Sequence, residues 1–114
     1  MEKNIMNTKK KIRDIIAEHS AELKKGAMGL TCGRNIYLTD YDYVRVYIFE
    51  YEIEISLHMN NSEFYMFSKD GSINDLDSLW RRFRYRFKRR IAEKKEYGDD
   101  KAFAARLKEV YSLL

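Results

Sequence analysis

Apolar residues recur at helical spacing near the start of the chain. Ile12, Ile15, Ile16, His19 and Leu23 follow the i, i+3, i+4, i+7 rule, while Lys9, Lys10, Arg13, Glu18 and Glu22 take the other faces. The spacing predicts a helix from Thr8 to about Lys25, and Gly26 is a natural stop for it. Gly26–Gly33 holds three of the five glycines and reads as a loop. Residues 1–7 read as an unstructured leader, with Met6 an alternative start.

The pattern then shortens to a period of two. Asn35–Thr39 reads as a short strand, and Asp40–Asp42 as a turn. Tyr43–Met59 has no Gly or Pro and is rich in β-branched and aromatic residues, so it is expected to be one long, bent strand. Its odd positions are nearly all apolar. Its even positions begin apolar (Val44, Val46, Ile48) and turn polar (Glu50, Glu52, Glu54, Ser56, His58), which suggests burial on both faces in the first half and on one face in the second. Asn60-Asn61 would turn the chain into a strand over Glu63–Ser68, ended by Asp70-Gly71.

Helical spacing returns with Leu76, Leu79, Trp80, Phe83, Phe87 and Ile91, after Asn74 or Asp75 as a cap. Gly98 would break this helix and Asp99 or Asp100 would cap a third, whose Phe103, Leu107, Val110, Tyr111 and Leu114 face inward. The expected fold is a single α+β domain over residues 1–114, in the order α-β-β-β-α-α, with a three-stranded antiparallel sheet packed by helices. That order is also the order of double-stranded-RNA-binding domains. The signatures of that family are missing, however, and the second helix opens on acids (Asp75, Asp77) where a basic motif would stand.

Composition narrows the setting. A chain of 114 residues with 45% hydrophobic content can bury its own core. One cysteine, Cys32, cannot form an intrachain disulfide, so a reducing, cytoplasmic location is expected. No apolar run approaches the roughly 20 residues of a membrane span.

The net charge of +4 hides a segregation. Residues 81–95 carry nine Lys/Arg against one acid, Glu93, a local +8. Residues 35–80 carry Arg45 and Lys69 against nine acids, a local −7. On the second helix, Arg81, Arg82, Tyr85, Lys88 and Arg89 lie opposite the apolar stripe, with Arg84 and Arg86 flanking it and Arg90 completing the basic run. Arginine's planar fork suits bidentate phosphate contact, and a tyrosine among arginines can stack on an unpaired base. Like charges at i, i+4 (82/86, 84/88, 86/90) oppose the helix by roughly 0.2–0.5 kcal/mol each, so a polyanion or an acidic protein surface should offset them.

Arg81, Arg82, Arg84, Tyr85, Arg86, Lys88, Arg89 and Arg90 are therefore the expected contacts of a small, non-enzymatic nucleic-acid-binding protein, with DNA or RNA as partner. The alternative is a protein-interaction module: a homodimer, or an inhibitor of a host nucleic-acid-handling protein of the sort that phages and mobile elements encode. In that reading the helix pairs with acidic protein surface, with Glu50, Glu52 and Glu54 of the same or a second chain as candidates.

Other constellations are weaker. Gly26-Ala27-Met28-Gly29 matches a backbone-clamping GxxG loop, but such a loop joins two helices and this one leads into a strand. Asp40-x-Asp42 lacks the rest of a calcium loop. The Glu50, Glu52, Glu54 stripe reads as the solvated face of a sheet. Tyr43, Tyr47 and Tyr51, with Phe49, could form a stacking platform, although core packing against a covering helix is the simpler reading. His19 is expected to be packed and His58 exposed; with Cys32 they are too scattered for a zinc site or a nucleophile pair. No catalytic residue, metal or cofactor is implied.

Overall fold

In the computed structural model, residues 7–60, 64–96 and 101–114 are described. Helix α1 spans Thr8–Lys24, and Asn7 caps it by accepting the Lys10 N–H at 3.1 Å. Asn7, assigned by sequence to the leader, is thus the first structural residue of the helix. Gly26 ends α1 at φ 94°, a left-handed conformation that costs glycine least. The helix buries Ile12 and His19, as the sequence pattern requires.

Four strands follow: β1 Cys32–Tyr37, β2 Tyr43–Ile48, β3 Glu52–Asn60 and β4 Phe64–Ser72. They form one antiparallel meander in the order β1-β2-β3-β4. The α+β class therefore holds, with four strands where three were expected, so the likeness to an α-β-β-β-α order also lapses.

The additional strand comes from dividing 43–59. A tight turn at Phe49–Glu52, closed by Phe49 N–H donating to the Glu52 carbonyl at 2.8 Å, reverses the chain and pairs Ile48 with Ile53. Val44, Val46 and Ile48 are buried before the turn, and Ile53, Ile55, Leu57 and Met59 after it. The change from even to odd parity is a hairpin re-phasing its inward positions. It is not a bent strand covered on both faces. The Asn60-Asn61 turn lies partly outside the described residues, as do Gly98, Asp99 and Asp100.

β4 runs through Asp70-Gly71 to Ser72, where Ser72 caps a short 3-10 turn (Ile73–Asp75) leading into α2, Leu76–Glu96. Gly71 pairs with Ile53 and lies under α2: a Cβ there would stand 3.0 Å from Leu79 Cδ1 and 3.3 Å from Arg82 Nη2. Leu79 is fully buried and has little room to yield. Glycine therefore permits the close approach of α2 to β4. Gly71→Val is expected to cost about 1–3 kcal/mol through overpacking, read as a lower urea midpoint at unchanged m-value.

Helix α3, Lys101–Ser112, packs on α2. α1 covers β1 and β2, α2 covers β4, and the helices lie on one side of the sheet over a core that includes Ile12, Val46, Ile55, Leu79, Phe83, Phe87 and Leu107. Two polar ties close the edges. The Thr8 N–H donates to the Leu114 carbonyl at 3.3 Å, and Arg106 of α3 pairs with the fully buried Asp42 carboxylate in the β1–β2 turn, which also accepts the Thr39 hydroxyl at 2.6 Å.

Candidate functional site

The 21-residue α2 buries Leu76, Leu79, Trp80, Phe83 and Phe87 and presents its basic side outward. Tyr85 stands at the crest, 63% exposed. On one flank, between α2 and β4, a groove of about 520 Å³ is lined by Lys69, Arg82, Tyr85, Arg86, Arg89, Arg90 and one acid, Glu93, with Met66, Phe67 and Ser68 as its strand wall. On the other flank, against α1 and α3, a second groove of about 520 Å³ is lined by Lys9, Trp80, Arg81, Arg84, Tyr85, Lys88 and Tyr111. All eight sequence-derived residues are thus brought to one surface, divided by Tyr85 into two sets. Lys9, Lys69 and Tyr111 join them from other elements, which helix periodicity alone could not reveal.

The cations fall into two states. Arg84 donates through Nε to the Tyr111 hydroxyl at 3.1 Å, and both Arg84 and Lys88 lie over that ring, at 5.3 and 5.8 Å from its centroid. Tyr111 in turn packs edge-on against Phe87 at 5.1 Å, so the core positions these two cations. Arg90 pairs with Glu93 at 3.3 Å and rests over Phe67. Arg81, Arg82, Arg86 and Arg89, by contrast, have no carboxylate within ion-pair distance among the described residues.

The acidic stripe does not neutralise them within the molecule. Glu52 and Glu54 belong to the face of β3 opposite the buried Ile53, Ile55 and Leu57, and Glu50 projects from the turn. The one acid drawn into the second groove is Asp77. Its carboxylate bonds Lys9 at 2.7 Å and Arg13 at 3.2 Å; Lys9 above all, then Arg13, holds it below the ordinary carboxylate range.

The uncovered face of the sheet corrects two further expectations. Tyr43 and Tyr47 do not pack under a helix. They point to the open side with Tyr37 and Met66, which are 53% and 54% exposed, while Tyr51 and Phe49 belong to the turn. A row crosses all four strands, Tyr37–Tyr43–His58–Met66, with Tyr43 and His58 stacked at 4.8 Å and 4°. His58, expected to be exposed, is only 5% so, because β3 is a central strand and Tyr43 lies flat on the ring. Its Nε2 and Ser56 Oγ hydrogen-bond at 2.8 Å.

Burial, and then the neighbouring Arg45 guanidinium, lower the His58 pKa below its ordinary value of about 6.5. The unfolded chain thus takes up a proton at a higher pH than the folded one. The contribution of this residue is fully present above about pH 6.5 and declines as the pH falls through that value toward the folded pKa. Urea midpoints should drop between about pH 7.5 and 5.5, and His58→Gln should flatten that drop.

Among the described residues no group of three or more His, Cys, Asp or Glu side chains could hold a metal ion, and no helix is long and apolar enough to cross a membrane. Comparison with protein-family models, with curated proteins and with solved structures gave no match. The geometry of the site therefore carries the functional reading.

Proposed function

We propose that this protein is a non-enzymatic nucleic-acid-binding protein that engages phosphates through the outward face of α2. The observation that carries this reading is the set of four arginines, Arg81, Arg82, Arg86 and Arg89, that make no ion pair among the described residues and stand beside two open grooves. A cluster of uncompensated guanidiniums raises the local potential and repels itself, and a polyanion removes both penalties by accepting bidentate hydrogen bonds and releasing its counterions. The interface is pre-shaped, because Tyr111 holds Arg84 and Lys88 while Gly71 lets α2 sit close to β4.

The protein, mixed at low salt with short DNA and RNA, should retard them in a native gel. Absence of any shift with either polymer would end this reading.

A second reading, a protein contact, is favoured by the open sheet face, where exposed Tyr37, Tyr47 and Met66 adjoin Glu52, Glu54 and Asp70. Partners captured through that face should survive nuclease treatment and be lost on Tyr47→Ser with Met66→Ser, whereas partners captured through α2 should disappear with nuclease.

A further inference from the structure

We infer that the nucleic acid taken by α2 is duplex DNA, with the helix crest lying along the major groove and one phosphate backbone in each flanking groove of the protein. This rests on the proposed phosphate-binding function and specifies its partner.

The distribution of the cations carries the inference. At about 100° per residue, Arg89, Arg82 and Arg86 stand about 40°, 60° and 100° to one side of Tyr85, and Arg81, Lys88 and Arg84 stand the same angles to the other. The two rows flank a crest formed by Tyr85 and Ala92, and each groove also holds one acid, Glu93 in the first and Asp77 in the second. Each row opens into its own groove. Lys69 lines one groove from β4, and Lys9, paired with Asp77, lines the other from α1.

A single strand offers one line of phosphates. It could occupy one groove and leave three cations of the other row unmet. A duplex offers two lines separated by a groove, and the B-form major groove, about 12 Å wide, matches a helix about 10–12 Å across its side chains. The major groove of A-form RNA is too deep and narrow to admit a helix, and its wide minor groove is shallow, so it would seat the crest without bringing phosphates to both flanks. Two rows of cations at equal angles about the Tyr85 crest fit B-form DNA best.

Affinities for one 20-base-pair sequence as duplex DNA, duplex RNA, single-stranded DNA and single-stranded RNA test this, together with phosphate ethylation interference on the DNA duplex. Duplex DNA should bind at least about tenfold more tightly than the other three, a difference of about 1.4 kcal/mol. Ethylation should interfere on both strands, on either side of one major groove. Arg82→Gln with Arg89→Gln, and separately Arg81→Gln with Lys88→Gln, should each lower the slope of log K against log salt by about 1.8. If duplex RNA or either single strand binds as well as duplex DNA, or interference is confined to one strand, or only one pair of substitutions changes the slope, this inference fails while phosphate binding stands. If none of the four polymers binds, both fail.

Discussion

Reversing Arg81, Arg82, Arg86 and Arg89 to Glu should abolish nucleic-acid binding while leaving the fold intact. Each reversal removes two units of charge, so the 81–95 segment goes from +8 to neutral. Four phosphate contacts at about 1 kcal/mol net apiece amount to a loss of roughly a thousandfold. The fold should not suffer, because these side chains are exposed and make no ion pair among the described residues. At i, i+3 and i, i+4 the reversal makes 81/84 and 86/90 opposite-charged, leaves 82/86 and 86/89 like-charged, and sets Glu at 81 and 89 against Asp77 and Glu93, so changes of a few tenths of a kcal/mol each roughly cancel. The melting temperature should therefore change little. An equal change in net charge placed at Lys24, Lys25, Arg34 and Lys108, outside both basic grooves, should leave most of the binding. Equal losses from the two sets would mean that overall charge, and not the α2 surface, drives association.

Phe87→Ala should produce the largest loss of stability. Phe87 is fully buried where three elements meet: its ring lies 5.1 Å from Phe67 of β4, 6.3 Å from Phe83 of α2 and 5.1 Å from Tyr111 of α3. Neighbours drawn from a sheet and two helices cannot all collapse into the space left behind, so both the transfer and the cavity terms apply. A cost of about 3–5 kcal/mol is expected, a large part of the 5–15 kcal/mol typical of a domain and a fall in Tm of roughly 15 °C. Phe87→Leu, which keeps most of the volume, should cost less than about 1.5 kcal/mol. Because Tyr111 both packs on Phe87 and holds Arg84, the Ala variant should also weaken nucleic-acid binding more than its folded fraction explains. An Ala cost below about 1 kcal/mol would show that Phe87 is not the junction of these elements.

The helices were legible in the sequence because each keeps its apolar stripe in phase over at least three turns. Ile12 and His19 of α1, Phe83 and Phe87 of α2, and Leu107 and Val110 of α3 are buried as their spacing requires. The sheet was less legible for a physical reason: the β2–β3 turn is Phe49-Glu50-Tyr51, with none of the residues that advertise a turn, and it is held by a backbone hydrogen bond and not by a side-chain preference. The signal that could have located it is the parity change between Ile48 and Ile53. That error also misplaced the tyrosines, since a wrong register sends every side chain to the wrong face. The placement of the eight basic-helix residues on the α2 surface follows from charge and period alone. Their division into two flanks, and the contributions of Lys9, Lys69 and Tyr111, depend on how α1, β4 and α3 pack around α2, which no local pattern encodes.

The salt dependence of affinity is the most direct measure of the phosphate binding proposed for the outward face of α2. Anisotropy titrations of a labelled DNA duplex between about 50 and 200 mM salt should give log K falling linearly against log salt, with a slope of about −5 from six α2 cations at about 0.9 each, reduced by about 3.6 in the four-arginine reversal wherever binding remains measurable. A wild-type slope near zero, or a slope that the reversal leaves unchanged, would contradict it.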